Sequence, residues 1–241
     1  MKYLPKILIG TPTYSGKNYC VSQFISNVLD FTYPKNRCEF VIFDNSPTPE
    51  NARFLTKEYG VKVIWKDFEG LKVNEKLAKT HQMVKEYAVD NGFDYILHLE
   101  SDVFPQVDVI EELLRTGKSI VGVPYLIGNG GQRHFVTRIF DYHNKDYCSI
   151  VNMAHYQQFF FDGEVKRCST NGLGCTLIKT SSIKNINFRH EENRDEAPDT
   201  FFSNDLMHSR ISYWVHTGML AFHYNTEDWG DYVQLVNNKN D

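Results

Sequence analysis

Two acidic side chains stand two positions apart where a predicted strand ends. The segment LHLESDVFP (97–105) runs from an apolar stretch into Glu100 and Asp102, and then reaches the loop-forming Pro105. At a strand end this spacing can direct two carboxylates at one hard cation, which would hold and neutralise a diphosphate. The alternative is a solvated loop in which a carboxylate caps a helix, and these residues alone leave both interpretations open.

The turn after the first predicted strand resembles a phosphate-binding loop only superficially. The segment TPTYSGKN (11–18) follows a strand and precedes a helix, as that loop does. The motif requires Gly where Thr11 stands and Ser or Thr where Asn18 stands. The two mismatches argue against a nucleotide triphosphatase, although such a turn can still present backbone N–H groups to a ligand.

These residues would be positioned by alternating strands and helices. Short continuous apolar runs, which predict buried strands, alternate with segments whose hydrophobic residues recur at helical spacing. This alternation is typical of an α/β fold with a largely parallel sheet covered on both faces. Ligands of such sheets bind outside the carboxyl ends of the strands. The sequence predicts strands at 6–11, 39–43, 61–65, 95–99 and 119–123 and helices at 19–31, 49–59, 73–89 and 108–114.

The second half of the chain has a different pattern. Residues 125–170 are rich in Phe and Tyr and lack a long helical period, which predicts an irregular or antiparallel insertion. Regular elements return as strands at 175–179 and 219–223 and a helix at 199–209. We expect one domain over 1–241, with halves at 1–124 and 125–230.

Composition narrows the classes of function. The 241 residues carry 26 Lys plus Arg against 30 Asp plus Glu, a formal charge of -4, which argues against a protein that coats nucleic acid. No apolar run approaches the roughly 20 residues of a membrane span, and the N-terminus makes a poor signal peptide. The five cysteines contain no C-x-x-C pair, so we expect no disulfide framework or zinc site and a cytoplasmic location.

Several segments in this order resemble the GT-A nucleotide-sugar glycosyltransferases, most of all the broad family 2 type. They are ILIGTPTY (7–14), FVIFDNS (40–46), the long helix from Val73, and YILHLESDVFP (95–105). In that family the fourth strand ends in a DXD motif, and here Glu100 replaces the first Asp. The similarity covers residues 6–124 well and the remainder in outline. It implies a GT-A fold and transfer of a sugar from a nucleotide diphosphate.

The resemblance also implies a donor site and a metal site. The donor, with a UDP-sugar favoured, would be bound by Thr11, Pro12, Tyr14, Asp44, Lys76, Glu100, Ser101 and Asp102. Mn²⁺ or Mg²⁺ would be held by Asp102, assisted by Glu100 and His223, with His216 as the rival histidine. The residues themselves also permit a cap in the turn for Asp44, a solvated Lys76 and a core histidine at position 223.

The resemblance gives less detail about the acceptor-binding half of the chain. The segment FFSNDL (201–206) resembles the one that supplies the base, which assigns Asp205 as the catalytic residue, with Asn204 replacing the family's Glu. The insertion at 125–170, including Tyr156 and Phe160, would bind the acceptor, a carbohydrate by preference or a nucleobase in DNA. We expect inversion, although the sequence does not settle stereochemistry. The rival functions are a sugar nucleotidyltransferase and a non-catalytic binding protein of the same fold.

Overall fold

An eight-stranded sheet forms the centre of the computed structural model, which describes residues 4–127, 134–138, 162–194 and 196–224. The strands in this part of the chain are β1 (Ile7–Thr13), β2 (Cys38–Asp44), β3 (Lys62–Trp65), β4 (Tyr95–Leu99), β5 (Val103–Phe104), β6 (Ile120–Gly122), β7 (Leu126–Ile127), β8 (His134–Phe135), β9 (Val165–Cys168), β10 (Cys175–Lys179), β11 (Tyr213–His216) and β12 (Phe222–His223). The order in the central sheet is β3-β2-β1-β4-β10-β6-β11-β9. Only β9 and β10 run against the other six strands. Two small antiparallel sheets pair β5 with β12 and β7 with β8.

Helices cover both faces of this sheet. Those in the described residues are α1 (Val21–Leu29), α2 (Glu50–Tyr59), α3 (Val73–Asp90), α4 (Val109–Arg115) and α5 (Pro198–His208). Successive side chains of a strand point to opposite faces. In β1, Ile7 and Ile9 accordingly pack with α1, α2 and α4, whereas Leu8 packs with α3 and α5. None of these helices is long and apolar enough to cross a bilayer.

The predicted α/β architecture is confirmed, whereas β11 and the segment before β12 differ from the prediction. Strand β11 was not predicted, because it is only four residues long and its extended state depends on pairing with β6 and β9. The predicted strand at 219–223 is wrong for its first three residues. Only Phe222–His223 is extended, and it pairs with β5 instead of the central sheet. The backbone N–H of Ala221 donates to the carbonyl of Pro124 at 2.9 Å, which holds the chain beside the sheet at this point.

The described parts of the insertion at 125–170 are antiparallel, in agreement with the prediction. Strands β7 and β8 pair with each other, and β9 pairs with β11 at the edge of the central sheet. Residues 128–133 and 139–161 lie outside the described residues. In the central sheet, the carboxyl ends of β1 and β4 lie beside one another because the two strands are parallel neighbours. Strand β12 lies close to them because it pairs with β5.

Candidate functional site

A cavity of about 530 Å³ opens at the carboxyl ends of β1, β2 and β4. It lies where parallel α/β sheets bind their ligands. The described residues that line it are Pro12, Thr13, Tyr14, Lys17, Asn45, Pro47, Val73, Lys76, Leu77, Glu100, Ser101, Asp102 and His223. This set contains most of the residues predicted to bind the donor and all three predicted to hold a metal ion.

Asp102 is the most constrained acid in this cavity. It is 2% exposed, and its backbone carbonyl accepts a hydrogen bond from the N–H of Tyr224 at 2.7 Å. Its Oδ2 atom accepts a hydrogen bond from Nζ of Lys17 and lies 3.3 Å from Nε2 of His223. Burial favours the neutral acid, but the contacts with His223 and Lys17 outweigh burial and hold the pKa of Asp102 below its ordinary value. Asp102 is thus ionised.

His223 reaches Asp102 because β12 pairs with β5. Its Nδ1 atom lies 3.0 Å from the carbonyl of Leu126. A carbonyl can only accept, so Nδ1 carries a proton and Nε2 is the atom that faces Asp102. Burial lowers the pKa of His223, but Asp102 outweighs burial and raises it above its ordinary value. The backbone thereby fixes the ring orientation that a metal-binding histidine needs.

Glu100 and Ser101 complete the turn between β4 and β5. The N–H of Glu100 donates to the carbonyl of Gly174 at 2.9 Å, and the N–H of Val103 donates back to the carbonyl of Glu100. Burial, followed by the charge of Asp102, raises the pKa of Glu100 to about 7. The hydroxyl of Ser101 pairs with that of Thr13 at 2.8 Å, which ties this turn to the end of β1.

The chemistry of these side chains fits a divalent cation. A carboxylate and an imidazole nitrogen already lie 3.3 Å apart, and a second carboxylate stands two residues away. Within the described residues, no three His, Cys, Asp or Glu side chains form a cluster that could hold an ion by themselves. Cations that neutralise diphosphates keep water and phosphate oxygens among their ligands, so a small set of protein ligands suits this role.

Two of the predicted donor-binding residues lie beneath the cavity instead of lining it. Thr11 and Asp44 are 0% and 1% exposed. The Oδ1 atom of Asp44 accepts from the N–H of Ser46 at 2.9 Å and from its hydroxyl, as expected of a cap in the turn. Its Oδ2 atom and the hydroxyl of Thr11 are buried without a hydrogen-bond partner. Buried polar atoms of this kind call for an explanation, and a bound ligand is one.

The predicted catalytic residue, Asp205, is engaged elsewhere. Its two oxygens accept hydrogen bonds from Nε and Nη2 of Arg189 at 2.8 and 2.9 Å, and it does not line the cavity. A bidentate pair of this kind fixes a helix to a neighbouring loop. The geometry therefore gives Asp205 a structural contact, and it does not support the prediction that this side chain is the base.

A different acid, Asp199, lies near Gly172 and Tyr125, although like Asp205 it does not line the cavity. It lies in the first turn of α5, and burial raises its pKa. Its charge contributes to the raised pKa values of Glu100 and Tyr125, after burial in each case. A Cβ atom placed on Gly172 would lie 3.4 Å from Oδ2 of Asp199 and 2.6 Å from the hydroxyl of Tyr125. The one sequence feature that could have drawn attention to Asp199 is that it follows Pro198, a pair typical of a helix start.

The remaining predicted residues have varied outcomes. His216 lies in β11, where its Nδ1 atom accepts a hydrogen bond from the N–H of Gly218. It does not line the cavity, so His223 and not His216 is the histidine beside Asp102. Tyr156 and Phe160 lie outside the described residues. Sequence reasoning missed Lys17, which was considered only within the rejected phosphate-binding loop.

Comparison with known proteins supports the fold. No protein-family model matches the chain, and no curated protein matches it. Solved structures do match, and the two described below are nucleotide-sugar glycosyltransferases of the GT-A fold. One is a crystal structure of GalNAc-T7 with UDP, GalNAc and Mn²⁺, with a TM-score of 0.63, 12% identity, and coverage of 95% of this chain and 46% of that one.

A second match is the crystal structure of S. aureus TarS 1-349 in complex with UDP-GlcNAc. Its TM-score is 0.55 at 13% identity, and the match covers 92% of this chain and 60% of that one. This chain therefore spans roughly half of the length of these matched structures. The GT-A fold expected from the sequence resemblance is confirmed.

Proposed function

We propose that this chain is a glycosyltransferase that moves a sugar from a nucleotide-diphosphate donor, with a UDP-sugar favoured, to a hydroxyl acceptor. The observation that carries the proposal is the meeting of Asp102, His223 and Glu100 at one cavity on the carboxyl ends of the strands. A metal-dependent reaction with Mn²⁺ or Mg²⁺ follows from the carboxylate and imidazole that this cavity offers. The matched structures were crystallised with UDP or a UDP-sugar, which agrees with this donor class.

The nucleoside would bind at the inner end of the cavity. Tyr14 lines the cavity and is 47% exposed, so its ring is available to stack on a base. The unpartnered Oδ2 of Asp44 lies below and suits an N–H of uracil or a ribose hydroxyl as donor. Lys76 lines the cavity at the start of α3 and would offset the charge of the diphosphate.

Asp102 and His223 would hold the divalent cation. When bound, the cation neutralises the diphosphate as it leaves. Asp102 is suited to this role because its carboxylate is ionised, and His223 because the Leu126 carbonyl orients its ring. Glu100 is a longer carboxylate that burial makes a weaker acid, and we assign it an indirect contact through water or the donor ribose.

Asp199 would act as the base in an inverting transfer. The acceptor oxygen forms a bond to the anomeric carbon while the bond from that carbon to the diphosphate breaks with its electron pair. The acceptor proton passes to the carboxylate of Asp199. A carboxylate whose pKa is raised by burial is a stronger base than an exposed one, and Asp199 has this property. A carbohydrate is the favoured acceptor, bound by the insertion at 125–170.

The test is to incubate the protein with Mn²⁺ and a panel of nucleotide sugars and to analyse the products. Release of nucleoside diphosphate supports a glycosyltransferase, whereas release of pyrophosphate would indicate a sugar nucleotidyltransferase. Binding without either product would indicate a non-catalytic protein of the same fold. The anomeric configuration of the product, measured by NMR, tests inversion.

A further inference from the structure

The ammonium group of Lys17 contacts the same oxygen of Asp102 that faces His223. Nζ of Lys17 donates to Oδ2 of Asp102, and Nε2 of His223 lies 3.3 Å from that oxygen. This oxygen belongs to the residue we propose as the main metal ligand. A lysine therefore already supplies a positive charge where the divalent cation would bind.

The backbone of Lys17 is fixed while its side chain remains partly free. Residues Ser15–Lys17 form a short 3-10 turn directly after β1. The N–H of Ser15 donates to the hydroxyl of Ser46 at 2.8 Å, and the N–H of Lys17 donates to the carbonyl of Tyr14 at 2.9 Å. The Lys17 side chain lines the cavity and is 27% exposed, compared with 3% for the side chain of Asp102. The ammonium can thus exchange partners within the cavity without movement of the turn.

The charges of the metal ion and of the Lys17 ammonium determine which partner Lys17 would take in such an exchange. A divalent cation and an ammonium repel each other at the separation that one shared oxygen imposes. Lys17 must therefore leave Asp102 when a metal ion binds there. The strongest acceptor that a bound donor would bring into the cavity is its diphosphate, and an ammonium is a strong partner for phosphate oxygens.

We propose that Lys17 is a resident cation of the donor site, which neutralises Asp102 in the free protein, competes with the divalent metal, and binds the donor diphosphate once displaced. The diphosphate part rests on the proposed function, whereas the competition for Asp102 does not. This arrangement adds a second positive partner, beside His223, to a buried carboxylate before the metal and the donor arrive.

The experiment measures Mn²⁺ affinity from the electron paramagnetic resonance signal of free Mn²⁺, with no nucleotide present. Lys17→Met should bind Mn²⁺ about tenfold more tightly than the wild type, because a charge-assisted hydrogen bond no longer has to be broken. Lys76→Met is the matched control, since it removes the same charge from the same cavity without a contact to Asp102. Lys17→Arg keeps the competing charge and should retain an affinity near that of the wild type.

A second measurement follows UDP binding by calorimetry in EDTA. Lys17→Met should weaken UDP binding about tenfold in the absence of metal, as expected for a lost ammonium–phosphate contact. Mn²⁺ affinity of Lys17→Met within twofold of the wild type, or equal tightening in Lys76→Met, would overturn the competition. If UDP binds no form of the protein while Lys17→Met still tightens Mn²⁺, the competition stands and the proposed function fails.

Discussion

Asp102 carries the largest share of the proposed chemistry at the scale of single residues. We expect Asp102→Asn to lower sugar transfer about 100-fold or more, because a neutral amide cannot hold the cation that stabilises the leaving diphosphate. The measurement is release of nucleoside diphosphate at saturating Mn²⁺, with a melting curve to verify the fold. Asp30→Asn changes an exposed acid at the end of α1 and should behave as the wild type. Unchanged turnover by folded Asp102→Asn would remove Asp102 from the mechanism.

Two acids on α5 allow a matched comparison of the base. Asp199→Asn should lower kcat about 10²- to 10⁴-fold with little change in donor binding, since general base catalysis contributes on this order. Asp205→Asn should leave kcat close to that of the wild type and lower the melting temperature, because it breaks the pair with Arg189. The reverse pattern in kcat would restore Asp205 as the base.

The same two acids show what sequence could and could not predict at this scale. Asp199 and Asp205 stand six residues apart on one helix, and a motif with Asn204 in place of Glu pointed to Asp205, which the structure pairs with Arg189. Nothing along the chain shows that the first turn of α5 faces Tyr125 and Gly172, which are distant in sequence. Glu100 and Asp102 were predictable because their strand itself delivers them to the cavity.

At the scale of elements, the segment before β10 approaches the site closely enough to require glycine. Gly172 has a φ of 66°, and a Cβ atom there would lie 2.6 Å from the Tyr125 hydroxyl and 2.7 Å from Val136. Gly172→Ala should destabilise the protein by about 1–3 kcal/mol beyond the backbone cost, as expected for overpacking. The measurement is urea unfolding.

Gly92→Ala is the control for this substitution. Gly92 has a φ of 65° with nothing within 4 Å of the added Cβ atom. Its substitution should therefore lower the free energy of unfolding only by the backbone strain of about 1–2 kcal/mol. Equal losses of stability in the two variants would contradict the close approach of Tyr125 and the Gly172 segment.

A buried histidine pair joins α3 to β4 and to the same segment. His98 donates from Nδ1 to the carbonyl of Leu173 at 2.8 Å, so its Nε2 accepts from Nδ1 of His81, also at 2.8 Å. Burial lowers the pKa of His98 from 6.5 to about 4. Because the folded protein resists protonation of His98, this group stabilises the fold above pH 6.5, and that stability is lost as the pH falls towards 4.

We therefore expect the stability difference between wild type and His98→Asn to shrink as the pH is lowered. Asn cannot bind a proton, so the variant lacks a pH-dependent contribution on the order of 3 kcal/mol across this interval. The measurement is urea unfolding at pH 7.5, 5.5 and 4.5. A difference that stays constant with pH would show that His98 does not titrate in this way.

The elements that sequence predicted well are those whose pattern is long or fully buried. Strands β1 and β4 are continuous apolar runs, and α3 presents a helical period over 18 residues, so both types were recognised. Strand β11 is only four residues long, and β12 only two. Their extended state depends on pairing with β6, β9 and β5, which no local pattern reports.

At the scale of the whole molecule, the GT-A fold explains why the position of the candidate cavity could be predicted better than the residues expected to bind the acceptor. Parallel strands deliver their carboxyl ends to one edge, which fixes the location of a ligand before any side chain is considered. The residues expected to bind the acceptor, Tyr156 and Phe160, lie outside the described residues. The matched structures share only 12% and 13% identity with this chain, so the acceptor stays a prediction.

The most direct test of the central claim is thermal unfolding with UDP and Mn²⁺. A ligand that binds only the folded state adds about 2.7 kcal/mol at one hundred times its dissociation constant. We predict that UDP raises the melting temperature of the wild type far more with Mn²⁺ than with EDTA, and that Asp102→Asn abolishes the Mn²⁺-dependent part. A melting temperature that UDP leaves unchanged with and without Mn²⁺, or raises equally in wild type and Asp102→Asn, would contradict the proposed donor site.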